Sequence, residues 1–286
     1  MMSAAALLFV LILCLWFVKE DIHPSWYLPR NWSHIKKVCV GYGLVWNPKK
    51  QGLMFLLITI ALFWLSNQFY LPPQNTIFLI CMGWLSLPIV WLWQAQFQYH
   101  ALEFEQLTTF MQHFIAYFKS NEKVLLSMIE SSKYIEGPLK EIVEDAIECL
   151  KNHGDTSAAF EKIAQRYPHF IIVNCQIWAA TAEQFGFDQS KEAIELLEDD
   201  IDDWIEDTWL TIKNRLQMKN RILLMCGLSA LIALFNQSLL SSMLDLQNVR
   251  IYHSVIMLFM MTLHVTILIA YRLIKTRWIS KGECLR

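Results

Sequence analysis

Charge is scarce in this chain. Charged residues make up 17% and hydrophobic residues 55% of its 286 positions, against roughly 25% and 45–50% in soluble domains. The local signatures of catalysis and cofactor binding are missing as well. There is no G-x-x-x-x-G-K-[ST] phosphate cradle and no G-x-S-x-G nucleophile turn. The nearest approach to a zinc helix is His100-Ala101-Leu102-Glu103, which lacks the second histidine. Seven cysteines (Cys14, Cys39, Cys81, Cys149, Cys175, Cys226 and Cys284) include no C-x-x-C pair. They are read as small buried hydrophobes, not as a disulfide framework or a metal site. The expectation is a non-enzyme with no cofactor and no metal.

The apolar residues that are present fall into blocks. Five are long enough to cross a bilayer, at about 2–18, 53–70, 76–93, 222–240 and 253–271. The first has no positive residue before it, and Lys19 follows it. That is the reverse of a signal peptide and predicts an uncleaved anchor. Lys/Arg counts set the orientation. Six fall in 19–50 and five follow Tyr271, while the 71–75 turn has none and 241–252 has only Arg250. The N-terminus is therefore expected outside a cell membrane. The 19–52 loop, a central domain and a 273–286 tail are expected in the cytoplasm. Trp46, Trp91 and Trp93 are placed for an aromatic belt, and Pro88 for a kink. Interleaved aromatic and basic residues in the first loop (Trp26, Tyr27, Arg30, Trp32, Lys36, Lys37) suit a segment among lipid headgroups. His264, inside the fifth block, has no carboxylate partner in any span and is read as an interhelical hydrogen-bonding residue.

Acid is concentrated between the third and fourth blocks. Residues 94–221 hold 22 Asp/Glu against 12 Lys/Arg, a net of −10 within a chain whose formal net charge is −2. An acidic module excludes nucleic acid as the expected partner. Its breakers sit in four places, Gly137-Pro138, Gly154, Pro168 and Gly186. They divide it into helices over about 94–119, 122–134, 138–152, 156–167, 168–185 and 188–221. Apolar positions recur at three and four: Leu107, Phe110, Met111, Phe114 and Phe118 in the first, and Ile194, Leu197, Ile201, Trp204, Ile205, Thr208 and Ile212 in the last. The fold class is all-α, a polytopic membrane protein with a cytoplasmic six-helix bundle between spans three and four. The domains are 1–93, 94–221, 222–272 and 273–286. No breaker separates Trp93 from Gln94 or Arg221 from Ile222, so the outer helices are expected to run on into the spans.

The densest charge is on the last of these helices, from Glu198 to Asp207. Asp199, Asp202, Asp203 and Glu206 project opposite Leu197, Ile201 and Ile205 on the helical wheel. Two readings stand: a solvated face, or a docking face for a basic partner or a divalent cation.

Residues 107–221 resemble the type II secretion system F domain, most of all the shorter inner-membrane proteins of tight-adherence (Tad) pilus systems. The resemblance is carried by Glu136-Gly137-Pro138-Leu139-Lys140-Glu141 and by the turn and amphipathic helix from Gly154 to Ala164. Gly186 before the long last helix, and the span that follows it, add to it. Gly137, Pro138, Gly154 and Gly186 are the matching turn residues. The sequence departs at Ser120-Asn121, where the family favours glycine. The resemblance implies a platform protein whose partners are a separate assembly ATPase, pilin-like subunits, membrane lipids, and a paralogous platform protein or a second copy of itself. A transporter, and a receptor with an acidic sensing domain, remain the alternatives.

Overall fold

The computed structural model describes residues 37, 40, 41, 47–242, 245, 246 and 249–275, with backbone alone at 187–190 and 250. Among the described residues every regular element is a helix: α1 (Pro48–Gln68), α2 (Pro73–Asn121), α3 (Val124–Ser131) with a 3-10 turn (Ser132–Tyr134), α4 (Pro138–His153), α5 (Thr156–Arg166), α6 (Phe170–Phe185), α7 (Phe187–Ser241) and α8 (Arg250–Arg272). Four are long and apolar enough to cross a membrane: α1, α2, α7 and α8. The expected first span, most of the first loop and most of the tail lie outside the described residues, as do Cys14, Cys39, Cys284 and Trp46. The described chain divides into two compact units. One is drawn from residues up to Gln98 and from Asn214–Lys275, the other from Tyr99–Lys213.

In the first unit α1 begins at Pro48, five residues before the expected start. The local reason is chemical. Asn47 caps the helix by accepting from the Lys49 N–H at 3.1 Å, and Pro48 follows at the first helical position, where its missing N–H costs nothing. Of α1 only Ser66 is buried, and Leu53, Leu56, Leu57, Ile60, Phe63 and Trp64 are exposed. An apolar helix with an apolar exterior is stable in lipid and not in water. α1 turns into α2 at Tyr70, whose φ is 49°, with Leu71 N–H donating to the Ser66 carbonyl at 3.0 Å.

α1 and α2 approach closely at Gly83. A Cβ there would stand 2.9 Å from Leu62 Cδ1, so any larger residue would have to displace the tip of the Leu62 side chain. Trp84 Nε1 donates to Thr59 Oγ1 at 2.9 Å, and Phe55 meets Trp84 and Trp91 edge-on at 5.9 and 5.5 Å. Trp91 and Trp93 are both buried, 6% and 2% exposed. They pack inside the protein and so do not form the headgroup belt expected of them. Pro88 lies within α2, and the helix continues through it to Asn121.

α8 runs antiparallel to α7. Met257, Met260 and Met261 form a core with Phe69, Leu71 and Leu79, against which Ala233 and Leu234 of α7 pack. Further along, Lys219 Nζ sits 5.6 Å from the Tyr271 ring centroid, and Arg215 Nη1 donates to the Leu273 carbonyl at 3.4 Å.

The second unit is built on aromatic residues. Phe104, Leu107, Phe110, Met111, Phe114 and Phe118 of α2 are all buried, each worth roughly 1.5–3 kcal/mol relative to exposure. Phe118 meets Trp178 of α6 edge-on at 4.6 Å, and Phe114 meets Phe160 of α5 at 5.4 Å. α4 contributes Leu139, Val143, Ala146, Ile147 and Leu150. The turns have backbone reasons. Gly137, Gly154 and Gly186 have φ of 71°, 66° and 89°, values at which a Cβ is strained. Asp155 then caps α5 by accepting from Ala158 N–H at 3.0 Å.

Two expectations need correction here. α6 begins at Phe170, not at Pro168, because His169 is its N-cap, its side chain accepting from Ile171 N–H at 3.5 Å. The helix expected over 122–134 is α-helical only to Ser131 and tightens to the 3-10 turn beyond it. The cysteines divide as well. Cys175 and Cys226 are buried as expected, whereas Cys81 is exposed on α2.

Candidate functional site

The site the sequence singled out is the outer face of α7. Ile194, Leu197, Ile201, Trp204 and Ile212 are buried. They pack this part of α7 into the core of the second unit and fix which way its carboxylates point. Trp204 is the anchor, edge-on to Phe104 at 5.0 Å and stacked on the buried ring of His169 at 4.3 Å. Ile205 and Thr208 are only partly buried, so the apolar stripe is narrower than the periodicity implied.

Asp199, Asp202, Asp203 and Glu206 are all exposed. Asp202 is partly engaged, since its Oδ1 accepts from Gln112 Nε2 of α2 at 3.2 Å. One turn earlier Glu198 pairs with Lys119 of α2. These two links bind the flank of the acidic face to α2 and leave Asp199, Asp203 and Glu206 pointing outward. The α7 N-terminus gives them little help, because a helix dipole acts mainly within its first turn and Asp199 lies twelve residues beyond Phe187. Like charges at i, i+3 and i, i+4 (Asp199 with Asp202 and Asp203, Asp202 and Asp203 with Glu206) cost roughly 0.2–0.5 kcal/mol per pair.

Gly137, Pro138, Gly154 and Gly186 are not brought to this face. They sit at the turns between α3 and α4, α4 and α5, and α6 and α7, where their role is backbone geometry. Sequence reasoning missed two exposed leucines on α7, Leu196 and Leu210, 62% and 54% exposed. The signal was available. They lie seven residues either side of Asp203, on one stripe of the wheel.

Elsewhere in this unit, the Glu103 carboxylate lies 3.3 Å from His100 Nδ1 and 3.7 Å from Arg166 Nη2, and Arg166 also donates to Tyr99 OH at 3.4 Å. His100 and Glu103 stand three residues apart on α2, so the helix itself brings them together. Burial, with Glu103 adding, pushes the Tyr167 phenol up to about 12. Burial alone raises the Cys175 thiol far above its ordinary range, which makes it inert. Among the described residues no group of three or more His, Cys, Asp and Glu is arranged to hold a metal ion.

Compared with protein-family models, curated proteins and solved structures, the chain matches none.

Proposed function

We propose that this chain is a non-enzymatic platform in a cell membrane, serving a pilus or type II-like secretion assembly machine. On this reading it crosses the membrane five times, residues 2–18 supplying the first span, with the N-terminus outside. The second unit, a cytoplasmic helical bundle, receives an assembly ATPase on the α7 face. The apolar helices meet pilin-like subunits within the bilayer, and a paralogous platform protein or a second copy completes the assembly.

One observation carries the reading. α7 is a single unbroken helix from Phe187 to Ser241. Its first part bears the exposed carboxylates, and its last part is apolar with Leu224, Leu231, Ile232 and Phe235 exposed. A helix of that kind suits a device that receives a push from a soluble partner and passes it to a membrane segment. It needs no catalytic residue. The resemblance of residues 107–221 to the secretion F domain supplies the partners' identity.

The test is a titration of the purified assembly ATPase against the full chain in nanodiscs. Replacing Asp199, Asp202 and Asp203 with Asn and Glu206 with Gln leaves helix content unchanged, because all four are exposed. The amide oxygen introduced by Asp202→Asn still accepts from Gln112. Association at low salt should weaken by about tenfold, and its rate should lose most of its salt dependence. Equal affinity of both forms at low salt would remove the docking role of this face. ATP hydrolysis by the purified chain alone would overturn the non-enzymatic reading.

A further inference from the structure

One polar atom in the apolar part of the first unit is left over. His264 lies within α8, a helix able to cross a membrane, and its Nε2 is buried with no hydrogen-bond partner among the described residues. The interhelical hydrogen bond expected of it is therefore not formed at that atom. An unpaired polar group is strongly unfavourable in a hydrocarbon setting. The hydroxyls of the same helix are engaged elsewhere. Thr262 and Thr266 donate to the Leu258 and Thr262 carbonyls at 2.9 and 2.8 Å.

What faces His264 follows from two contacts between α7 and α8. At one, Lys219 Nζ stands 5.6 Å from the Tyr271 ring centroid. At the other, Ala233 packs against the core that holds Met257. Cys226 is seven residues from both Lys219 and Ala233, and His264 is seven residues from both Tyr271 and Met257. Seven residues make about two turns of helix, about 10.5 Å, and return to the same face. In an antiparallel pair, equal steps from a shared contact arrive at the same level. Cys226 and His264 are thus level with each other, on the faces by which the two helices meet. Cys226 is itself buried, at 8% exposure, and is a free thiol.

Two thioethers lie beside this pair. Met260 and Met261 are four and three residues before His264, spacings that put Cβ atoms about 5–6 Å apart on a helix, and both are buried. α7 beyond Asp207 and all of α8 hold no Asp or Glu. The donors are therefore a thiol, an imidazole nitrogen and thioethers, a soft set that selects Cu(I). Charge points the same way. Cu(I) on one thiolate is a neutral site, whereas a divalent ion on the same ligands leaves a net positive charge in a low-dielectric span.

We propose that the first unit binds Cu(I) between α7 and α8, through Cys226 Sγ, His264 Nε2 and the thioether of Met260 or Met261. Binding turns the Cys226 thiol into a metal-bound thiolate and releases its proton to solvent, with no electron transferred. The ion gives the His264 nitrogen its partner and ties the apolar part of α7 to α8. The site lies wholly within the first unit and does not depend on the platform reading.

The test uses the full chain in nanodiscs, with Cu(I) kept reduced by ascorbate and competed against a chromophoric Cu(I) chelator. The wild type should retain a single Cu(I). Cys226→Ser and His264→Leu should each weaken retention by about tenfold or more, and Met260→Leu combined with Met261→Leu should weaken it less. X-ray absorption at the copper edge should show both sulfur and nitrogen neighbours. His264→Leu should keep its helix content, because it removes only an unpaired nitrogen. Cys226→Ser, which exchanges sulfur for oxygen at nearly the same volume, decides the matter should the leucine variant fold poorly. Failure to retain Cu(I), or equal retention by wild type and both single variants, which would place the ion at other cysteines, overturns the proposal. So does an environment of sulfur alone, or Zn(II) held as tightly as Cu(I). None of these outcomes uses the ATPase, so failure here is separate from failure of the platform reading.

Discussion

Gly154 and Glu122 both have a positive φ, with opposite residue choices. Gly154 stops α4 at φ 66°, its N–H donating to the Leu150 carbonyl at 2.9 Å. Glu122 follows α2 at φ 55°, its N–H donating to the Phe118 carbonyl at 2.8 Å. A side chain in the left-handed region is strained by roughly 1–2 kcal/mol, partly offset by the greater entropy glycine loses on folding. Gly154→Ala should therefore destabilise the second unit by about 1 kcal/mol, and Glu122→Gly should stabilise it by up to about 1 kcal/mol. Denaturant unfolding followed by tryptophan fluorescence checks both. Opposite signs support the account, and a stabilising Gly154→Ala would contradict it. Gly154 is legible in the sequence because glycine announces such a turn. Glu122 is not, since glutamate carries no sign of positive φ, and Ser120-Asn121 looks like the turn itself.

At the scale of elements, periodicity locates the helices well. The buried face of α2 is the one the three-and-four spacing predicts, that of α7 is the predicted one without Ile205 and Thr208, and both helices run on into their apolar segments as the missing breakers imply. Readings fail where a local feature stands alone. The Asn47-Pro48 pair is a cap signal, yet it lies before the apolar run, where periodicity does not reach. Pro168 fits a first helical position by its ring, but it is His169 that caps the helix and Phe170 that begins it. Trp91 and Trp93 suit a headgroup belt by their place along the span, whereas their burial depends on what packs beside them. The unbroken α7 gives a prediction at this scale. Asn214 is an exposed residue of α7 next to Lys213, where the second unit ends. Asn214→Pro should break the helix there at a local cost of about 3 kcal/mol. ATPase association should survive that break while assembly of the pilin-like subunit is lost, with Asn214→Ala as the control. Assembly that persists despite a break verified by hydrogen exchange would remove α7 as the transmitting element.

For the whole molecule, the apolar blocks and the clustering of acid make a membrane protein with an acidic helical region readable from sequence. Four of the blocks coincide with helices able to cross a bilayer. The candidate site is legible as charge and not as shape. The carboxylates are visible, but Leu196 and Leu210 gain meaning only when their exposure is known. The links from Gln112 and Lys119 join residues about ninety and eighty positions apart, which no local pattern reports. The central claim, a five-span platform with its acidic unit inside the cell, is tested most directly by reporter fusions along the full chain. Fusions after Gln74 and after Gln247 should report the outside. Those after Lys37, Lys151 and Lys281 should report the cytoplasm. A cytoplasmic signal at Gln74, or an external one at Lys151, would contradict it.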